Sequence, residues 1–136
     1  MEDGKQRILS VKNQIFCKMT LKSFEEIEVW QASRILVKEI YEVFNPLKDY
    51  GFKDQITRAA ISIMNNIAEG HERYSKKEFA RFLKIAKGSC GEVRSMVMIA
   101  FDLKYINLAQ KDYFMDTCLN ISRQLSGFIK YLNLNH

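Results

Sequence analysis

A seven-residue repeat of apolar side chains between positions 79 and 100 constrains the fold of this chain more than any other feature. Its members are spaced alternately by four and three residues: Phe79, Leu83, Ala86, Cys90, Val93, Val97 and Ala100. On an α-helix this spacing forms a single seam that stays turned towards a partner helix. Ser75 and Glu78 precede the repeat with the spacing of a capping box. The repeat therefore predicts a long helix that begins at Ser75 and packs lengthwise on others.

Three further segments show the apolar spacing of helices packed in the same way. The first follows a capping box at Ser23 and Glu26 and ends before Pro46, because the residue before a proline avoids the helical region. The second helix of the chain spans about residues 53–69, and the fourth helix, after the repeat described above, spans about 109–132. Their seams are Ile56, Ala60, Ile63 and Ile67 in the second, and Phe114, Cys118, Ile121, Leu125, Phe128 and Leu132 in the fourth. Short connections are typical of antiparallel neighbours, so the sequence predicts an all-α, up-down-up-down four-helix bundle.

We assign the bundle to residues 21–136 and regard residues 1–20, which are weakly patterned, as an N-terminal extension. Within the bundle, Gly70 follows the seam of the second helix and is predicted as the C′ residue in the left-handed conformation. Gly88 and Gly91 lie inside the third helix, where each costs about 1 kcal/mol relative to alanine. Close approach of another helix is the simplest compensation for that cost.

Several classes of function find no support in the 136 residues. Cys17, Cys90 and Cys118 lack CxxC spacing. Cys90 and Cys118 fall on apolar helix faces, so we interpret these two as reduced core residues of a cytoplasmic protein. No apolar run approaches the roughly 20 residues of a membrane span. Metal-ligand spacing and the Glu-x-x-His motif of di-iron bundles are also absent from the sequence. We therefore expect no metal, no cofactor, no membrane partner and no catalytic site.

Apolar side chains exceed what one small core can hold in the predicted first and third helices. The surplus positions are Trp30, Tyr41, Phe82, Ile85, Met98 and Ile99. Such a surplus is typical of a subunit interface, so we expect the protein to associate with copies of itself. The alternative interpretation is a partly exposed apolar belt on a monomer.

Positive charge is concentrated around the corner between the second and third helices. Residues 53–87 contain eight Lys or Arg and four Asp or Glu, a net charge of +4 within a chain of net charge +5. The candidate nucleic-acid-binding residues are Arg73, Lys76, Lys77, Arg81, Lys84 and Lys87. Lys77, Arg81 and Lys84 share the helix face opposite the seam, where summed phosphate contacts would give salt-sensitive binding. Tyr74 and His71 are candidates to stack on bases. The alternative is a solvated helix face, paired in part with the acidic first helix.

A second set of candidates forms a polar corner of Asn66, Glu69 and Gly70. Asn66 adjoins the seam residues Ile63 and Ile67, so its amide needs hydrogen-bond partners. Glu69, together with Arg58 and Arg73, would supply them. The two interpretations are a polar pocket for a ligand and a structural network that fixes the turn and the helix register.

These residues also carry a family resemblance. The motifs are Phe24-Glu25-Glu26-Ile27-Glu28-Val29-Trp30-Gln31, Asp54-Gln55-Ile56-x-Arg58-Ala59-Ala60, Asn66-Ile67-Ala68-Glu69-Gly70 and Ser75-Lys76-Lys77-Glu78-Phe79-x-Arg81-Phe82-Leu83 with Ile85, Ala86, Gly88, Ser89 and Glu92. In this order they resemble the four-helix-bundle proteins encoded in intervening sequences of bacterial 23S ribosomal RNA genes. The resemblance covers about residues 21–133. Met64 and the pair His71-Glu72 depart from the usual family pattern, in which a proline and an aromatic-glycine pair are common.

The resemblance implies an up-down bundle assembled as a ring-like homopentamer, without known enzymatic activity. Some relatives accompany the reverse transcriptases of diversity-generating retroelements, where a basic pentamer is thought to bind nucleic acid and the enzyme. We therefore predict a non-catalytic oligomer that binds RNA or DNA through the basic corner. The alternative is a protein-interaction scaffold, such as an accessory subunit that docks a retroelement reverse transcriptase without touching nucleic acid.

Overall fold

The chain folds into an all-α four-helix bundle, as the apolar spacing predicts. A computed structural model describes residues 23–134, and no strand occurs among them. A short 3-10 helix, Phe24–Glu26, precedes α1 (Glu28–Phe44), α2 (Tyr50–Glu72), α3 (Lys76–Asp102) and α4 (Leu108–Leu134). Connections of a few residues make successive helices antiparallel. The predicted extension, residues 1–20, lies outside the described residues.

The core follows the predicted seams. Every member of the α3 repeat from Phe79 to Ala100 is buried, as are the predicted seam residues of α2 and α4. Both α2 and α4 pack extensively on α3, while α1 packs chiefly on α2. The interior is thus one continuous apolar cluster, and the helix with the most regular repeat lies at its centre. Burial of this cluster supplies the main driving force for the fold.

The start of α1 differs from the prediction. Ser23 does not cap it: its side chain makes no capping hydrogen bond, and a 3-10 turn follows before α1 begins at Glu28. Ile27 adopts an extended conformation between the two elements and is fully buried. Phe24 packs edge-on against Trp30, with ring centroids 5.1 Å apart. The break at Ile27 therefore loses one capping hydrogen bond and buries an apolar side chain. Burial of that side chain contributes more free energy to folding than the cap would.

The predicted left-handed conformation of Gly70 is wrong. Gly70 is helical and α2 continues to Glu72. A Cβ atom at Gly70 would lie 2.7 Å from the Cβ of Phe82 and 3.0 Å from Cδ1 of Phe79. Glycine is required here because the end of α2 touches the start of α3, and the left-handed residue is Tyr74, with φ 55°. Conversely, no atom of another described helix lies within 4 Å of a Cβ added at Gly88 or Gly91, so the helix approach predicted there is not made within one chain.

The two connections at the other end of the bundle hold each other. Asp49 caps α2 by accepting a hydrogen bond from the amide of Phe52 at 3.2 Å. Its second carboxylate oxygen accepts a hydrogen bond of 2.7 Å from the hydroxyl of Tyr105, in the α3–α4 connection. The Tyr105 hydroxyl and the Phe52 amide lower the pKa of Asp49, and the same Asp49 contact raises the pKa of Tyr105. This contact joins residues 56 positions apart and so links the α1–α2 and α3–α4 connections.

Candidate nucleic-acid interface

The corner between α2 and α3 positions the predicted basic residues. Ser75 caps α3: its Oγ atom accepts a hydrogen bond of 3.2 Å from the amide of Glu78, as the capping box predicts. Phe79, one turn further on, is buried against Phe128 of α4, with ring centroids 5.1 Å apart. The cap and this aromatic contact fix the direction in which α3 leaves the corner, and with it the direction of the exposed side chains.

Five of the six predicted basic residues are exposed and the sixth, Lys76, is half-buried. We call this set the basic surface: Arg73, Lys76, Lys77, Arg81, Lys84 and Lys87. Its axis is the stripe of Lys77, Arg81 and Lys84, which recur at helical spacing on the side of α3 away from the core. The structure thus brings the predicted residues onto one side of the corner.

The two arginines of the basic surface bind carboxylates on their own helices, not on α1. Arg73 lies 3.0 Å from Glu69, and Arg81 lies 2.7 Å from Glu78. The hydrogen bond from Arg81 lowers the pKa of Glu78. Both guanidinium groups also lie over the ring of Phe82, at 5.0 Å and 4.6 Å from its centroid. This buried ring holds the end of α2 and the second turn of α3 in one cationic cluster.

Three lysines of the basic surface have no carboxylate partner of this kind. Among residues 23–134, no carboxylate lies within 4.0 Å of the amino groups of Lys77, Lys84 or Lys87. None of these three charges is therefore held in an ion pair, although Lys77 lies near enough to Glu78 to help lower the pKa of that carboxyl group. A long, flexible ammonium side chain of this kind can follow a phosphate backbone without a fixed geometry.

The two candidate stacking residues, His71 and Tyr74, differ in their exposure to solvent. His71 turns inward: only 9% of its side chain is exposed, and its ring packs edge-on against Phe79 at 5.9 Å. Its Nδ1 atom is buried and has no hydrogen-bond partner among the described residues. Tyr74, three residues along the chain, is 92% exposed. His71 is thus unavailable for stacking on a base, whereas Tyr74 is available.

The predicted polar corner divides into separate groups. The Asn66 amide donates to the Ser62 carbonyl oxygen at 2.8 Å and to the Ser62 hydroxyl at 3.0 Å. That hydroxyl lies 2.8 Å from the hydroxyl of Ser89, which joins α2 to α3. Glu69 binds Arg73 instead. Sequence reasoning missed the two serines, although their positions beside the seams of α2 and α3 were a signal that they face each other.

Arg58 is also outside this network, because it pairs with Asp54 on α2 at 2.8 Å. The partners of Asn66 are a carbonyl and a hydroxyl, and the hydroxyl carries the network across to the neighbouring helix. Each of these polar groups is thus satisfied by another group of the chain. These hydrogen bonds run from α2 to α3, so they can fix the register of the two helices.

The thiols of the core make a close pair rather than a metal site. Cys90 of α3 donates a hydrogen bond of 3.1 Å to the carbonyl oxygen of Cys118 on α4, and both residues are buried. The neighbouring Cys90 thiol and burial raise the pKa of Cys118, which keeps its thiol neutral. Within the described part of the chain, no group of three His, Cys, Asp or Glu residues is placed to hold a metal ion. None of the described helices is both long and apolar enough to cross a membrane.

Comparison with known proteins places the chain beside one family. The family model described as 23S rRNA-intervening sequence protein matches residues 25–127. A solved structure with the same fold is that of a protein of unknown function from the S23 ribosomal protein family of Bacteroides thetaiotaomicron. The two sequences are 24% identical, the match covers 75% of this chain and 98% of that one, and the TM-score is 0.69. No curated protein matches the sequence.

Proposed function

This chain belongs to the family of 23S rRNA-intervening sequence proteins, and we propose that it is a non-catalytic protein that binds nucleic acid. The observation that carries the proposal is the exposed stripe of Lys77, Arg81 and Lys84 on α3. Three cations on one helix face repeat at a spacing that suits a run of phosphates, and each phosphate contact adds to affinity by releasing counterions.

The ion pairs of the two arginines do not oppose this function. Arg73 and Glu69 are both about half exposed, as are Arg81 and Glu78. Exposed pairs of this kind contribute only about 0–1 kcal/mol, so a phosphate can replace the carboxylate at little cost. The contact of both guanidinium groups with Phe82 restricts their motion beforehand, which reduces the entropy that binding removes.

Self-association into a ring-like homopentamer, as the resemblance implies, is part of the same proposal. Of the surplus apolar residues, Trp30 and Phe82 belong to the core of one chain, whereas Tyr41, Ile85, Met98 and Ile99 are exposed. The open sides of Gly88 and Gly91 lie on the same exposed side of α3 and leave room for a helix of another copy. A ring would repeat the basic surface in each subunit and multiply its phosphate contacts.

The test of nucleic-acid binding is fluorescence anisotropy with labelled RNA and DNA at increasing salt. We expect the affinity to fall steeply with salt, and a triple Ala variant of Lys77, Arg81 and Lys84 to bind more weakly. Its plot of log affinity against log salt should be shallower by up to about 0.7–0.9 for each phosphate that the variant no longer neutralises.

The matched control removes three exposed cations from α1 and α4 instead. These positions are Lys38, Arg123 and Lys130. Because the two triple variants have the same net charge, only the location of the missing cations separates them, and the control should bind almost as the unmodified protein does. A folded protein that binds no nucleic acid at low salt refutes the proposal, and sedimentation velocity that shows a monomer at micromolar concentration refutes the ring.

The alternative function is a protein-interaction scaffold, such as an accessory subunit that docks a reverse transcriptase. The exposed apolar side chains on α1 and α3 favour it, because they can pack against another protein as well as against a second copy. Purification of the protein with a protein partner after nuclease treatment, together with absent binding to RNA and DNA, would support this alternative over the first.

A further inference from the structure

Tyr74 occupies a backbone conformation that suits its residue type poorly. It follows the end of α2 with φ 55°, in the left-handed region. Helices commonly end in this conformation, but the residue there is usually glycine, sometimes asparagine, because a Cβ atom crowds the following carbonyl oxygen. A bulky aromatic residue at this φ is a genuine outlier and costs free energy that either of the usual residues would avoid.

Nothing within the described chain compensates for that cost. The Tyr74 side chain is 92% exposed, and it takes part in none of the hydrogen bonds, ring contacts or cation-ring contacts found among residues 23–134. Tyr105, which lies in a connection at the opposite end of the bundle, contrasts with it, since its ring packs on Phe52 and its hydroxyl binds Asp49. A solvent-exposed aromatic side chain on a strained backbone indicates a role outside the folded chain.

The residues that neighbour Tyr74 along the chain indicate the chemistry of its ligand. Arg73 precedes it, Lys77 follows in the first turn of α3, and Arg81 joins Arg73 over the ring of Phe82. Along the chain, Tyr74 thus has cations on both sides. Proteins that bind single-stranded nucleic acid combine aromatic rings, on which bases stack, with cations that contact the phosphates. Bases inside a duplex are stacked on one another and cannot reach such a ring.

We infer that Tyr74 stacks on an unpaired nucleobase, and that the nucleic acid which this protein prefers is single-stranded. The inference rests on the proposed function, because the cations of the basic surface supply the phosphate contacts. It adds the class of ligand: an unpaired segment of RNA or DNA, not a duplex. Stacking is tolerant of base identity, so the preference concerns strandedness rather than sequence.

The experiment measures the affinity for a labelled single strand and for the duplex of the same sequence, with DNA and RNA versions of each. Tyr74→Asn removes the ring and keeps a residue that tolerates the left-handed conformation. We expect it to weaken single-strand binding at least about fivefold and to leave duplex binding unchanged. Tyr74→Phe keeps the ring and should bind as the unmodified protein does.

Thermal unfolding of the same variants checks that the ring has no structural role. Tyr74→Asn should melt at the same temperature as the unmodified protein or above it, because it relieves backbone strain. A clear decrease would show that the ring stabilises the fold and would overturn the inference. Equal affinity of the unmodified protein for single strand and duplex, unaffected by Tyr74→Asn, overturns the inference and leaves the proposed function intact. Absence of binding to every oligonucleotide refutes the proposed function itself.

Discussion

Gly70 provides the most direct test of how the corner is packed. In most helices glycine to alanine is stabilising, by up to about 1 kcal/mol. At Gly70 the new Cβ atom would lie 2.7 Å from the Cβ of Phe82, an atom that cannot move without its backbone. It would also lie 3.0 Å from Cδ1 and 3.4 Å from the carbonyl oxygen of Phe79. Because two of these three neighbours are fixed to the backbone of α3, relief requires the two helices to separate.

Separation or strain of this kind costs about 1–3 kcal/mol in a well-packed core. It outweighs the gain in helix propensity, so we expect Gly70→Ala to lower the free energy of unfolding by about 1–2 kcal/mol net. Urea denaturation followed by circular dichroism measures this as a lower midpoint with an unchanged slope. The slope matters because it shows that the variant still unfolds from a folded state of the same compactness.

Gly127 of α4 is the matched control. It is also a glycine inside a long helix, but no atom of another described helix lies within 4 Å of a Cβ added there. Gly127→Ala should therefore raise the free energy of unfolding by as much as about 1 kcal/mol. The opposite signs of the two substitutions are the prediction. If Gly70→Ala proves as stable as Gly127→Ala, the close contact of α2 with α3 at the corner is not as described.

Two further substitutions test contacts that hold helices together. Asn66→Ala should lower the free energy of unfolding by about 1–2 kcal/mol, because it takes a hydrogen-bond donor away from Ser62 at a half-buried site. The variant should still bind nucleic acid. Unchanged stability with abolished binding would favour a ligand pocket instead. Tyr105→Phe should lower the melting temperature most between about pH 4 and pH 10. The folded pKa of Asp49 is lowered and that of Tyr105 is raised. The stabilisation from their hydrogen bond is therefore lost as pH falls through the folded pKa of Asp49, and it is lost again as pH rises through the folded pKa of Tyr105. A difference from the unmodified protein that stays constant across the whole pH range would contradict this hydrogen bond.

The basic surface illustrates how far sequence patterns predict a site. Helical spacing was enough to place Lys77, Arg81 and Lys84 on one exposed face, because the buried repeat of α3 fixes the orientation of every other residue on that helix. Spacing did not reveal that Arg73 and Arg81 meet over Phe82. That arrangement joins the end of one helix to the second turn of the next, and it depends on the angle of the corner between them.

For some residues, the sequence pattern pointed to the right position but predicted the wrong role. Gly70 was selected as a glycine that ends a helix, yet it serves a close contact, and Tyr74 takes the left-handed position. Ser23 had the sequence of a cap but lies before a 3-10 turn, because burial of Ile27 outweighs one capping hydrogen bond. In each case the competing interaction came from the packing of one element on another.

The sequence by itself determined that the chain has four helices, which side of each faces inward, and where the positive charge lies, since each of these follows from residue type and the helical period of 3.6. Only the tertiary structure decided which polar groups satisfy one another, which glycine separates two backbones and which aromatic ring at the corner is left in solvent. Those outcomes depend on distances of a few ångströms between different helices, and such distances are set when all the helices pack together.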